Sequence, residues 1–244
     1  PDLKWERTGQ FDIGLDLGLF NNRLRITTDY YKKKTTDLLY SVAVPATSGY
    51  QTMLKNIGSI ENQGYELSIE SDNLTGAFSW TTAFNIAFNR NKVLELGGEE
   101  YKEMAEGDGH LKTGSVRRLI VGEPIGVFYG YRFDGIFQNE EECKQQTSSA
   151  SPIGVGLRRY KDLNGDGVID DYDKCLIGQG DVPKIYYGFG ADLQLGDFSV
   201  GALFAGNAKA DRCLGGNAMY PFNDGSGITN LFANITDRWS ADNP

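Results

Sequence analysis

Residues 11–19 alternate without a break: Phe11, Ile13, Leu15, Leu17 and Leu19 are separated by Asp12, Gly14, Asp16 and Gly18. A period of two marks a strand with one apolar and one polar face. Asn21–Asn22 follows, and asparagine tolerates the positive φ that tight hairpin turns demand. The next run, "RLRITTDYY", sets Leu24, Ile26, Thr28 and Tyr30 against Arg23, Arg25, Thr27 and Asp29. A two-residue turn at Asn21–Asn22 puts Leu19 opposite Leu24, Leu17 opposite Ile26 and Ile13 opposite Tyr30. All apolar residues then share one face, and on the other Asp16 lies diagonal to Arg25, within salt-bridge reach.

Four further segments repeat the design. "YELSIE" places Tyr65, Leu67 and Ile69 against Glu66, Ser68 and Glu70. "FSWTTAFNIAF" runs from Phe78 and Trp80 to Phe84, Ile86 and Phe88, against Ser79 to Ala87. "KIYYGFGADLQL" sets Ile185, Tyr187, Phe189, Leu193 and Leu195 against Gly188, Gly190, Asp192 and Gln194. "FSVGALF" sets Phe198, Val200 and Phe204 against Ser199, Gly201 and Leu203, the last of which breaks the polar face.

The connections alternate in length. Asn21–Asn22, 71–76 and 196–197 are short, whereas 32–61 and 89–182 are long. Short turns at one end and long loops at the other are the habit of outer-membrane β-barrels, with periplasmic turns and extracellular loops. The pattern thus predicts an all-β chain, an antiparallel transmembrane barrel segment. In that arrangement Leu15, Leu17, Ile26, Leu67, Phe84 and Leu193 face lipid. The polar set Asp12, Asp16, Arg25, Asp29, Glu66, Glu70, Asn85 and Asp192, together with Gly190, faces the lumen. Tyr30, Tyr65, Phe88 and Tyr187 form an outer aromatic girdle, and Phe78, Trp80 and Phe198 an inner one. One segment breaks the count. Strand 77–88 runs outward and 184–195 inward, so an even number of spans lies between them. "IGVFYGYRF" (125–133) therefore either pairs with a second strand near 153–160 or stays above the membrane with it.

Composition agrees with a barrel. Glycine is abundant at 31 of 244 and aromatics are frequent, yet only 40% of residues are hydrophobic, as suits a sheet with one wet face. A net charge of −9 argues against a nucleic-acid partner. Cys143, Cys175 and Cys213 are odd in number and lie far apart, so no disulfide framework is expected, although one pair could form in an oxidising compartment. The start, "PDLKWERTGQ", has no signal-peptide pattern and begins in mid-pattern, as a piece of a longer protein would.

"DLNGDGVIDDYD" (162–173) has the ligand spacing of an EF-hand loop without flanking helices. Asp162, Asn164 and Asp166 take positions one, three and five, and Gly167 the sharp turn. Val168 offers its carbonyl at seven, Asp170 acts at nine and Asp173 closes at twelve. Aspartate at twelve is shorter than the usual glutamate, which predicts weak binding of a structural Ca2+. The competing reading is a metal-free turn, which "NGDG" also makes. Elsewhere the bland readings win. Lys32–Lys34 at the outer interface has two readings, contact with lipopolysaccharide phosphates and a solvated loop start, and the second comes first. His110 has no partner at catalytic or metal spacing, and Glu140–Glu142 read as solvated acids. No catalytic constellation is present, so an enzyme is not expected.

With these residues in view the chain resembles the SusC/RagA-type TonB-dependent outer-membrane transporters. The segments "PDLKWE", "LFNNRLRITTDYYKKKTTDLL", "NIGSIENQGYELSI", "VGEPIGVFYGYRFDGIFQ", "YKDLNGDGVID" and "PKIYYGF" occur in the family's order and cover nearly all of 1–205. The resemblance implies a barrel of about 22 strands around an N-terminal plug. Residues 1–244 would be a partial barrel domain from its C-terminal half, with roughly six to eight of those strands. It implies the outer membrane of a Gram-negative bacterium and contact with its lipids. It also implies a SusD-like surface lipoprotein as partner, and import of oligosaccharides or peptides. The TonB complex would act through an N-terminal part outside this chain. Two other readings compete: a soluble, secreted β binding module stapled by calcium, and a hydrolase on a β scaffold, which the missing catalytic set disfavours.

Overall fold

The computed structural model describes residues 3–44, 47, 49–97, 101–103, 117–213, 236–237, 239–240 and 242–243. They divide into two units, one drawn from 1–102, 119–126 and 180–211, the other from 103–118, 127–179 and 212–244.

The first unit is an open antiparallel sheet of six strands in the order β1–β2–β3–β4–β13–β14. The strands are β1 (Arg7–Leu19), β2 (Leu24–Ala43), β3 (Thr52–Leu74), β4 (Phe78–Leu96), β13 (Ile185–Leu195) and β14 (Phe198–Ala208). The first hairpin has the register that the Asn21–Asn22 turn dictates: Leu19 faces Leu24, Leu17 faces Ile26 and Ile13 faces Tyr30. Phe20, Asn21 and Asn22 all take positive φ, which is what a primed hairpin turn requires of its central residues.

Because each strand alternates and the registers agree, like residues line up in rows across the whole sheet. One row reads Leu17, Ile26, Ile69, Phe84, Phe189, Phe204. The adjacent row reads Asp16, Thr27, Ser68, Asn85, Gly188, Ala205, and it lies on the opposite face. Two glycines let bulky rings lie flat across the sheet. A Cβ on Gly64 would come 2.5 Å from the Tyr31 ring, and one on Gly206 equally close to Tyr187. In both pairs the ring covers the glycine opposite it.

The sheet corrects the expected loop at 32–61. Most of it is strand: β2 continues to Ala43 and β3 begins at Thr52. The apolar alternation fades there, so the sequence pattern loses the strand, but cross-strand polar pairs carry the ladder onward. Lys32 bonds Glu61 at 3.1 Å. Asp37 sits at a bulge with positive φ, holds Arg7 at 2.7 Å, and lends its carbonyl to Asn56. The stretch expected as loop from 89 onward likewise starts as strand, since β4 ends only at Leu96. At ~3.3 Å per residue the 23 residues of β3 extend roughly 75 Å, more than twice what a tilted transmembrane strand needs.

The parity question is also answered. β13 pairs directly with β4, from Ile185↔Phe88 to Leu195↔Phe78, so no strand lies between them in the sheet. Residues 125–133 stay out of it. They contribute β7 (Val127–Tyr131) and begin β8 (Phe133–Ile136). β8 pairs with β10 (Arg158–Tyr160), the partner region expected near 153–160.

These last strands belong to the second unit. Its elements in chain order begin with the end of β5 (Tyr101–Glu103) and the start of β6 (Arg117–Ile120), strands whose other residues belong to the first unit. After β7 and β8 come α1 (Glu140–Lys144), β9 (Thr147–Ser148), β10, β11 (Val168–Ile169) and β12 (Lys174–Leu176). β7 pairs with β6 and β12, and β11 runs parallel to β9. Val127, Phe128, Phe137 and Ile169 are its buried apolar side chains. Glu140–Glu142, expected as merely solvated, form the first turn of α1. Asn139 caps that helix by accepting from the Glu142 N–H at 2.9 Å, and Glu142 meets Arg159 at 3.4 Å. Cys143, Cys175 and Cys213 are unbridged. His110 lies outside the described residues.

Candidate functional site

Two features invite a functional reading: the paired faces of the sheet and the aspartate-rich loop of the second unit.

On the apolar face the central side chains Ile26, Leu67, Ile69, Phe84 and Ile86 are half-buried among their neighbours. Leu15, Leu17, Phe189, Leu193, Phe198, Val200 and Phe204 are all exposed. Leaving such side chains in water costs about 1.5–3 kcal/mol each, so a face made of complete apolar rows requires a nonaqueous covering. At one end of this face Ile13, Tyr30, Tyr65 and Phe88 stand in a single row with Ile185. Tyr187, expected in the same girdle, lies one row nearer the centre, beside Ile86. At the other end Phe78, Leu195 and Phe198 share a row, with Trp80, Leu193 and Val200 in the next.

The opposite face is polar. Asp16 does not reach Arg25, as the diagonal placement suggested. It accepts from the Thr27 hydroxyl, directly across the hairpin, at 2.7 Å. Arg25 turns instead to β3, bonding Glu70 at 3.1 Å and Asp72 at 3.0 Å. The reason is reach: Glu70 lies directly opposite Arg25, and two acids there outcompete one diagonal acid. Asp29 and Glu66 stand opposite each other beside a shallow depression lined by Thr27, Ser68, Asn85 and Tyr186. This face has charge and hydrogen-bonding groups in number.

In the second unit the loop 162–173 closes on its own backbone. Asp162 accepts from the N–H groups of Gly165 (2.6 Å) and Gly167 (2.7 Å), with both glycines at φ +79°. Asp166 accepts from Val168 N–H at 2.8 Å, and the Asn164 amide donates to Asp166 at 3.0 Å. Asp170 caps the short 3₁₀ turn Asp171–Asp173 through Tyr172 N–H. Asp173 is fully buried and accepts from Leu163 N–H at 2.8 Å and Asp170 N–H at 2.9 Å. Those backbone donors, that of Asp170 foremost, hold its carboxyl below the usual carboxylate range. Next to it Lys174 bonds Asp171 at 2.7 Å, which lowers the Asp171 carboxyl and raises the Lys174 ammonium. The structure thus brings Asp162, Asn164, Asp166, Val168, Asp170 and Asp173 into one tight loop. Among the described residues, no three acidic, histidine or cysteine side chains converge as a metal cluster. Each carboxylate oxygen of Asp162 uses one backbone donor and keeps a second lone pair, whereas the Asp173 carboxylate is engaged by the backbone of Asp170, Leu163 and Asn164.

A twisted antiparallel sheet, apolar in rows on one face, polar in rows on the other and edged by aromatic rows, defines a wall segment of a transmembrane β-barrel. The family model described as "TonB dependent receptor-like, beta-barrel" matches residues 1–242, and the chain belongs to that family. It is 36% identical over 245 residues to the TonB-dependent receptor P3 of Formosa agariphila, covering 99% of this chain and 24% of that protein. It is 33% identical over 189 residues to the TonB-dependent receptor SusC of Bacteroides thetaiotaomicron, covering 74% of this chain and 17% of SusC. Among solved structures it resembles the RagAB peptide transporter, with a TM-score of 0.66 and 25% identity over 84% of this chain and 21% of that one. The chain therefore spans about a quarter or less of the length of these relatives. Membership of a barrel family leaves the soluble binding module without support.

Proposed function

We propose that this chain supplies part of the barrel wall and outer loops of an outer-membrane transporter that imports large nutrients, oligosaccharides or peptides. The observation that carries the reading is the row structure of the sheet, in which Leu17 to Phe204 form an unbroken apolar line backed by the polar line from Asp16 to Asn85. The relatives support the transport class: one is SusC, and another is a peptide transporter complex, RagAB. The polar face would line the wet interior that a plug and a passing solute need. A SusD-like lipoprotein would act at the outer side and the TonB complex through an N-terminal part of the parent protein. The residues here hold position, exclude lipid from the lumen and provide hydrogen-bonding surface; they carry out no bond chemistry. Deleting the parent gene should abolish growth on a specific oligosaccharide or peptide source and leave growth on simple sugars intact. Undiminished growth across a broad panel of such sources, with the gene expressed in the parent strain, contradicts the proposal.

The same reading gives the loop 162–173 a structural task. We propose that it binds Ca2+ weakly, using the carboxylates of Asp162, Asp166, Asp170 and Asp173 with Asn164 and the Val168 carbonyl. Extracellular sites of about 10⁻⁴–10⁻³ M suffice for such a staple. The support is the ligand spacing and the burial of an acidic side chain, Asp173, with no ammonium or guanidinium bonded to it. Limited proteolysis around 160–182 should speed up on chelation and slow again when calcium returns. An unchanged digestion pattern leaves a turn closed by hydrogen bonds alone.

A further inference from the structure

Lysine and arginine gather on one part of the apolar face. Immediately beyond the row Tyr30–Tyr65–Phe88, the outward positions are Lys32, Gln63 and Arg90, and one row further Lys34, Glu61 and Lys92. Successive outward residues on a strand are about 7 Å apart, so the first of these rows lies just above the rings. Lys32 is taken by Glu61. Lys34, Arg90 and Lys92 have no ion pair among the described residues. Arg90, Lys184 and Lys209 line a cavity of about 370 Å³ together with Tyr30, Tyr65 and Phe88. Cations thus surround an aromatic floor in a chain whose net charge is −9.

The opposite end of the sheet has no such collar. Its turns, 20–23, 75–77 and 196–197, bring one cation, Arg23, and the carbonyls of Asp72 and Asn73 hold it at 3.1 and 2.7 Å. The asymmetry matters because interfacial rings sit at headgroup level, and groups one row beyond them meet the headgroups themselves. A free ammonium or guanidinium there finds phosphate as its natural counter-ion, and Arg90 can bind it through two parallel N–H bonds.

We propose that this collar, centred on Arg90, Lys92 and Lys209 above Tyr30, Tyr65 and Phe88, is a docking site for the phosphate groups of an anionic membrane lipid. The proposal rests on the reading that the apolar face meets lipid. Its effect is to fix the depth of the sheet in one leaflet and to hold a shell of phosphorylated lipid against β2, β3 and β4.

The test uses the intact parent transporter in nanodiscs that contain either bisphosphorylated lipid A or its fully dephosphorylated form, with retained lipid counted by native mass spectrometry. The bisphosphorylated lipid should be retained in preference, and inorganic phosphate in solution should not displace it. Removing one cation, as in Arg90→Gln, should weaken retention about fivefold, given about 1 kcal/mol per cation near a charged surface. The triple variant Arg90→Gln, Lys92→Gln, Lys209→Gln should lose roughly a hundredfold on the same scale. Lys33→Gln, whose residue points to the other face, should change nothing. Equal retention of both lipids or an equal loss in Lys33→Gln overturns the phosphate site, and displacement by inorganic phosphate overturns the lipid as its occupant, while in each case the wall reading stands. Failure of the transporter to enter bilayers overturns the wall reading and the site with it.

Discussion

At the scale of single residues the second unit is held by a few buried or capped acids, of which Asp173 is the clearest. Its carboxylate is wholly buried and ties Leu163 to Asp170. Backbone donors favour its charged form, so its pKa lies below the unfolded value, which is about 3.9. The sign follows: a depressed carboxylate contributes stability in full above the unfolded pKa, and that stability falls away as pH drops through the folded pKa. The loop should therefore stay closed at pH 5 and lose this support only as pH falls below the unfolded value. Amide exchange at Leu163 and Asp170 reports this directly. Asp173→Asn, which replaces one acceptor by a donor, should cost about 1–3 kcal/mol of local stability at neutral pH. Protection at both amides that is unaltered by the substitution would contradict this role. The ligand pattern from Asp162 to Asp173 was plain in the sequence. What the pattern could not tell is that the carboxylates bind the loop's own N–H groups, because that depends on how tightly the chain turns at Gly165 and Gly167.

At the scale of elements, strands were legible wherever one face was apolar. β1, the first half of β2, the second half of β3, the first half of β4, β13 and most of β14 follow from alternation alone, and the Asn21–Asn22 turn fixes the register of β1 on β2. The outer parts of β2 and β3 were not legible, since Lys32–Asp37 and Asn56–Asn62 are polar on both faces or mixed. Their pairing is visible only when both strands are present to show Lys32 beside Glu61. β7, the start of β8 and β10 fall within the strand read at 125–133 and its partner region near 153–160, whereas β5, β6, β9, β11 and β12 were hidden for a different reason: strands of two to four residues are too short for a period to emerge. The faces of the legible strands give a sharp expectation. Leu17 and Ser68 lie in adjacent rows on opposite faces. Leu17→Arg should cost roughly 2–4 kcal/mol at the bilayer midplane and Ser68→Arg far less. Heat-modifiable mobility of the assembled parent barrel compares the two, and equal tolerance of both would reverse or abolish the assigned faces.

At the scale of the whole molecule the central claim is that this sheet is a wall between lipid and water. It joins the apolar rows, the polar rows and the aromatic edges into one physical account, and family membership agrees with it. The most direct measurement places single spin labels along β4 of the parent protein in outer-membrane vesicles, with Cys143, Cys175 and Cys213 replaced by serine. Labels at Ala83, Phe84, Asn85, Ile86 and Ala87 sample both faces of one strand. The account predicts that collisions with oxygen dominate at Phe84 and Ile86, and collisions with a water-soluble nickel chelate at Ala83, Asn85 and Ala87. Oxygen and nickel accessibilities that run level along the five sites, or that alternate in the opposite phase, would contradict it.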